Sequence, residues 1–336
     1  MKTYHTYNEI KSQTQAWAQA MDVVNASLLP KTGDYNQVIF TGCGSTYYLS
    51  LSAAAMYQEL TGRSARAIPG GELLLNSQTA LTDQRTLLVA ISRSGTTTET
   101  VKAVEIFKNK KRGDVIVISN YDEELSKIGD VNIILPSGQE ESVAQTRSFA
   151  SMFVAATAMC ARMAERDDLM DAMGKLPEIG NWVIGNYESL AKELGENLNY
   201  DRFYFLGSGI RYGLACEVNL KMKEMTLTHS EPFHFLEFRH GPMSMVNENA
   251  VVAGMVSESN LSHEKAVLNE MQALGGKIVV LAESNADVSF KSQIPEQVRA
   301  VLYLPALQLM AYYRSLAKGL NPDRPTNLTS VVKLNI

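Results

Sequence analysis

Short runs of consecutive apolar residues alternate along the chain with longer stretches of mixed polarity. Residues 87–91, LLVAI, have the pattern of a strand buried on both faces of a parallel sheet. Residues 37–44, QVIFTGCG, read as a strand running into a glycine turn, and a helix follows from Ser45 to about Thr61. ARAIPG, ending at Gly70, predicts a short strand before a helical run from Gly71 to Ala80. Further strands are expected at 114–120 and 131–136, and a long helix ends at Met163. Ahead of all these, residues 1–31 alternate at helical spacing, with Ile10, Trp17, Met21 and Val24 on one buried face. Strand and helix alternate throughout, which predicts a doubly wound parallel α/β fold with ligands at the carboxyl ends of strands.

The second half repeats the first. A shift of 165 residues carries Phe40, Gly42, Gly44, Tyr47 and Leu49 onto Phe205, Gly207, Gly209, Tyr212 and Leu214. The same shift carries Ser92, Ser94 and Glu99 onto Ser257, Ser259 and Glu264. Two tandem copies of one α/β unit are expected, in a pseudo-two-fold arrangement with a site between them. The expected layout is an N-terminal helical segment (1–35), a first domain (36–165), a helical connector (166–198), a second domain (199–320) and a tail (321–336).

Chemistry enters where the strand at 87–91 ends. Residues 92–98, SRSGTTT, carry five hydroxyls and a glycine immediately before a helix from Glu99 to Lys108. Unpaired N–H groups and the positive end of the helix dipole make such a turn a phosphate site. Serines and threonines there are equally ordinary helix caps. The second copy, SESNLSHEK, has Glu258 where the first has Arg93, and an acid there opposes an anion. It has instead a run of ionisable residues. Glu217, Lys221 and Glu224 fall at i, i+4 and i+7, along one helix face. That face is either a solvated ladder of ion pairs or one wall of a binding crevice. His229, Glu231, His234, Glu237 and His240 follow, interrupted by Pro232 and without the ligand spacings of a regular zinc helix. Proton transfer on a sugar phosphate suits these residues better than a metal.

Composition narrows the class. The chain has 336 residues, 45% hydrophobic and 20% charged, enough for a large core, and its net charge of -5 argues against a nucleic-acid binder. Three widely separated cysteines suit a reduced, cytoplasmic setting, and neither a signal peptide nor a membrane span is legible. No metal and no cofactor are expected.

Six motifs in order carry a resemblance: GCGST (42–46), SRSGTTTET (92–100), ESVAQTRSF (141–149), E-x3-K-x-K-E (217–224), EFRHGP (237–242) and NPDRPTNLTSVVKL (321–334). Together they resemble the double sugar-isomerase (SIS) domain family, with its flavodoxin-like subdomains. The likeness is to the isomerase half of glutamine–fructose-6-phosphate amidotransferase and to free-standing aminosugar-phosphate deaminases and isomerases. It implies that Gly44, Ser45, Thr46, Ser92, Ser94 and Thr97, with the backbone of Arg93 and Gly95, hold a sugar phosphate. It implies a backbone contact to the sugar at Val143, Glu224 as the base that shuttles a proton between C1 and C2, and Lys221 and Glu217 shaping the pocket. His240 would assist ring opening in the neighbouring subunit of a homodimer, with the tail lying over the active site. Ser330 falls where the synthase has a tail lysine, and Lys333 lies three residues on. The chain enters the sugar domain without a glutaminase segment, so the expectation is a deaminase/isomerase converting glucosamine 6-phosphate to fructose 6-phosphate and ammonia. A fructosyl-amine 6-phosphate deglycase and a non-catalytic sugar-phosphate sensor are the alternatives.

Overall fold

The computed structural model describes residues 4–334; residues 1–3 and 335–336, the outer ends of the expected N-terminal segment and tail, lie outside the described residues. The chain divides into two compact units. Of the described residues, the first comprises 12–140, 147–174 and 329–334, and the second 4–11, 141–146 and 175–328. Helix α1 (His5–Ala26) begins in the second unit and continues in the first, with Ile10, Trp17, Met21 and Val24 buried.

The first unit runs β1 (Gln37–Gly42), α2 (Ser45–Thr61), β2 (Ala65–Pro69), α3 (Gly70–Leu75), α4 (Ser77–Ala80), β3 (Thr86–Ser92), α5 (Thr98–Asn109), β4 (Val115–Ser119), β5 (Val131–Ile134), α6 (Arg147–Met163) and α7 (Asp167–Met173). Its five parallel strands lie in the order β2-β1-β3-β4-β5. Every residue of β1, β3 and β4 is buried, as expected of central strands covered on both faces. The single helix expected over 71–80 is two, broken at Asn76, whose φ/ψ of -123°/41° departs from the helical region.

The second unit runs α8 (Leu176–Glu196), β6 (Arg202–Leu206), α9 (Ile210–Thr226), β7 (His229–Phe233), β8 (Ala250–Met255), α10 (Leu261–Ala273), β9 (Lys277–Ala282), β10 (Val288–Ser289) and α11 (Leu304–Ala317). Its sheet order, β7-β6-β8-β9-β10, repeats that of the first and is also all parallel. Both are the doubly wound order in which the chain reverses direction beside the first strand, and ligands bind at that reversal. No helix among the described residues is long and apolar enough to cross a membrane.

The repeat is sharpest at the first turn of each unit. Gly44 and Gly209 cap α2 and α9 with φ/ψ of 57°/-123° and 58°/-130°, a backbone that side chains disfavour. Two residues earlier, a Cβ on Gly42 would lie 2.7 Å from the Thr46 carbonyl carbon, and one on Gly207 2.5 Å from the Arg211 oxygen. Each strand therefore turns into its helix too tightly for any residue but glycine.

Candidate functional site

In the first unit, parallel pairing of Thr41 with Ala90 sets the Gly42–Thr46 turn beside the hydroxyl loop. The loop is braced from its own side chains and from the end of β4. Ser92 Oγ accepts from the Gly95 N–H at 3.2 Å and lies 3.4 Å from Thr97 Oγ1, while Ser94 Oγ accepts from the Thr96 N–H at 3.2 Å. The Arg93 carbonyl accepts from Asn120 N–H and Ser119 Oγ, both at 3.2 Å, and the Gly95 carbonyl accepts from Leu125 N–H. Gly95 has φ +67°, and a Cβ there would press on Tyr121 O and Ser119 Oγ at 3.2 and 3.3 Å. The loop closes on Thr97, the N-cap of α5, so Ser94, Thr96 and Thr97 stand half-buried around a helix N-terminus. This arrangement offers hydroxyls and a positive dipole end to a small anion.

Other residues expected around the phosphate have different contacts. Thr46 Oγ1 accepts from Cys43 N–H and donates to the Cys43 carbonyl, closing the glycine turn, and Ser45 is buried at the start of α2. Burial raises the pKa of the Cys43 thiol, which approaches Thr100 Oγ1 at 3.5 Å. The Arg93 guanidinium pairs at 3.5 Å with Glu140, both side chains nearly inaccessible, and donates to the exposed Ser330 carbonyl at 2.8 Å. The tail is tied to this unit a second time where Leu334 N–H donates to Thr98 Oγ1. Arg147 donates to Ser12 Oγ and to the Gln139 carbonyl, and Glu72 accepts from Asn76.

In the second unit, α9 carries the ionisable face. Lys221 Nζ lies 3.3 Å from Glu217 Oε1 and 2.5 Å from Glu224 Oε2. Lys221 and Glu217 are 1% exposed, and Glu224 is 20% exposed. Burial alone would lower the Lys221 pKa, but the two carboxylates outweigh it and the pKa is raised. Glu224 is the member of the array that solvent reaches. The solvated-ladder reading of this face does not fit such burial.

The EFRHGP segment is a short 3-10 turn, Glu237–Arg239, fixed by the buried Phe238 ring against Tyr204 and by Arg239 paired with Glu270. His240 stands exposed at its end, next to Gly241 with φ +118°. Val143 N–H donates to the Asp323 carbonyl, and its loop is capped by Glu9, which accepts from the N–H groups of Glu141 and Ser142. The remaining histidines of the cluster diverge: His234 stacks on Tyr212 at 3.8 Å, while His229 is exposed beside Glu231. No group of three or more His, Cys, Asp or Glu side chains among the described residues is placed to hold a metal. Glu9 and Glu140 were not singled out from the sequence, because their partners lie far along the chain.

Two sheets of one order, each opening on a glycine turn, with a hydroxyl loop in one and a buried charged helix in the other, define a tandem doubly wound α/β class. The SIS domain model matches residues 34–162 and 198–313, and the chain belongs to that family. It is 29% identical over 320 residues to glutamine–fructose-6-phosphate aminotransferase (isomerizing) of Pyrococcus horikoshii, covering 91% of this chain and 53% of the relative. The enzyme of that name from Sulfolobus acidocaldarius is 28% identical over 96% of this chain and 54% of its own. The chain thus spans about half the length of these curated relatives. Among solved structures, glucosamine-6-phosphate deaminase of Thermotoga maritima superposes with a TM-score of 0.84 at 26% identity, covering 98% of this chain and 100% of that one. Tagatose-6-phosphate ketose/aldose isomerase of Escherichia coli, at 22% identity and TM-score 0.84, shares the fold over 96% of this chain and 95% of its own. The family supports a phosphosugar isomerase role.

Proposed function

We propose that this chain is an aminosugar-phosphate deaminase/isomerase acting on a hexosamine 6-phosphate, with glucosamine 6-phosphate as the first substrate to test. The observation that carries the reading is the α9 array, in which a buried ammonium links two carboxylates and only Glu224 meets solvent. The full-length likeness to a glucosamine-6-phosphate deaminase supports the direction of the reaction.

In this reading the hydroxyls of Ser92, Ser94 and Thr97 bind the 6-phosphate, with Gly44 and Ser45 on the neighbouring turn. His240 gives a proton to the ring oxygen as the sugar opens, serving the adjacent copy in a homodimer. Glu224 then removes the C2 proton, electrons move into the C1 carbonyl, and an enolamine forms. The same carboxyl returns the proton to C1, leaving an imine at C2. Water adds to that imine and ammonia leaves, giving the ketose phosphate. One carboxylate suffices for both transfers because C1 and C2 of a planar intermediate are adjacent on one face. Lys221 holds Glu224 in place through Oε2 and is itself fixed by Glu217.

The test measures ammonia and fructose 6-phosphate together. Wild-type protein is expected to release both in equal amounts from glucosamine 6-phosphate, and Glu224→Gln is expected to bind the sugar phosphate while losing at least about 100-fold in turnover. An undiminished Glu224→Gln variant refutes the assignment. Binding without release by wild-type protein, and without deuterium exchange at C2, refutes the enzyme reading in favour of a sensor.

A further inference from the structure

In the second unit the turn after β8 is the counterpart of the hydroxyl loop, and a carboxylate of the same chain already fills it. Glu296 Oε2 accepts from the backbone N–H groups of Glu258 and Ser259 at 3.3 Å each, and its Oε1 accepts from Arg211 at 2.6 Å. Arg211 is 7% exposed. Its other amino group pairs at 3.0 Å with Glu264, which in turn accepts from the N–H of Ser257 at 2.6 Å and from its hydroxyl at 3.0 Å. Glu258, the residue whose charge would oppose an anion here, is turned onto Arg299 at 2.6 Å. A strand end, a helix start, two N–H groups converging on one oxygen and a buried guanidinium are the parts of an oxyanion site.

We propose that the turn at 257–260 is a phosphate-class anion site plugged by Glu296, and that this plug confines phosphate binding to the first copy. The contacts of Glu296 identify the plug, and the comparison between copies shows what the second adds around it. Glu264 has its counterpart in Glu99 at the same place after the first loop, so a carboxylate there is common to both. Arg211 falls by the same shift on Thr46. The second copy therefore holds a guanidinium at the start of α9 where the first has a hydroxyl at the start of α2. Glu296 lies in an irregular segment, outside any helix or strand, so its withdrawal disturbs no ladder of backbone hydrogen bonds. A phosphate oxygen in place of its carboxylate would accept from the same three donors.

Equilibrium dialysis of the full chain with radiolabelled inorganic phosphate tests this. Glu296→Ala is expected to bind one more phosphate per chain than wild type, and Glu296→Ala/Arg211→Met is expected to lose that increment. The increment is read against wild type whatever the first loop binds, so failure of the sugar-phosphate reading and failure of this one are separate results. Glu296→Gln keeps the side-chain volume and removes the charge; it is expected to bind the additional phosphate, more weakly than the alanine variant. A folded Glu296→Ala protein, judged by circular dichroism and unfolding temperature, that binds no more phosphate than wild type overturns the proposal. So does an increment that survives Arg211→Met. Should the alanine variant not fold, the glutamine variant decides alone.

Discussion

Replacing Lys221 by methionine is expected to destabilise the protein far more than neutralising Glu224. The ammonium is 2.5 Å from Glu224 and 3.3 Å from Glu217, separations worth about 7 and 5 kcal/mol of attraction at an effective dielectric near 20. Taking three charges out of water costs several kcal/mol per ion, so the intact array contributes little net stability. Removing the cation leaves the desolvation cost uncompensated, and Glu217, 1% exposed, bears most of it. Breaking such a buried pair costs about 3–5 kcal/mol. Glu224→Gln keeps an acceptor for Lys221 at the solvent-accessible end and is expected to cost about 1 kcal/mol. Urea unfolding of Lys221→Met, Glu217→Gln and the double variant measures the coupling. The double variant is expected to be more stable than Lys221→Met alone, because it removes the stranded carboxylate. A Lys221→Met protein within about 1 kcal/mol of wild type, or a double variant no more stable than the single, refutes the buried-array argument.

Two further outcomes follow from the geometry. Gly95→Ala, which forces a side chain to φ +67° against Tyr121 O and Ser119 Oγ, is expected to cost roughly 1–3 kcal/mol and to weaken sugar-phosphate binding measured by titration calorimetry. Glu188 is partly buried, which raises its pKa, but hydrogen bonds from Lys11, Tyr313 and Tyr7 outweigh this and the pKa is lowered. Its folded pKa thus lies below its unfolded value, so its stabilisation is present above the ordinary carboxylate pKa near 4.5 and fades as pH falls through the folded value. Urea unfolding of Glu188→Gln is expected to show roughly 1–3 kcal/mol of destabilisation at pH 7, shrinking below pH 4.5; a pH-independent difference contradicts the ionic account.

The sequence made the repeat legible because the turn at the end of each first strand demands glycine twice. Gly42 and Gly207 admit no Cβ, and Gly44 and Gly209 need positive φ, so one spacing recurs 165 residues apart and α2 and α9 match end to end. The doubly wound parallel class followed from alternation, whereas the strand order did not. What stayed hidden is long-range pairing. Arg93 reads as a phosphate residue by its place in the loop, yet its guanidinium meets Glu140 and Ser330, which no local pattern connects to it. Thr46 reads as a hydroxyl at a helix start, but only the folded turn shows that hydroxyl bonded to both ends of Cys43. Glu258 reads as a repelling charge, and the neutralising Arg299 lies 41 residues on.

The two copies also bear on why α9 carries buried charge at all. By the same shift, Glu217 and Lys221 correspond to Ser52 and Met56 on α2, which are 0% and 1% exposed. Both helices follow a glycine turn and begin and end at corresponding residues, and both bury this face. In α2 a hydroxyl and a thioether fill it without any ion. A neutral face is therefore enough for this helix to fold in this architecture, and it avoids the desolvation of a buried ammonium and carboxylate. The third position is Glu in both copies, Glu59 and Glu224, but Glu59 is exposed on its helix while Glu224 is joined to Lys221. The carboxylate thus came with the repeat, and what distinguishes α9 is the buried cation beneath it. Packing does not require that cation; under the proposed function, orientation of Glu224 does.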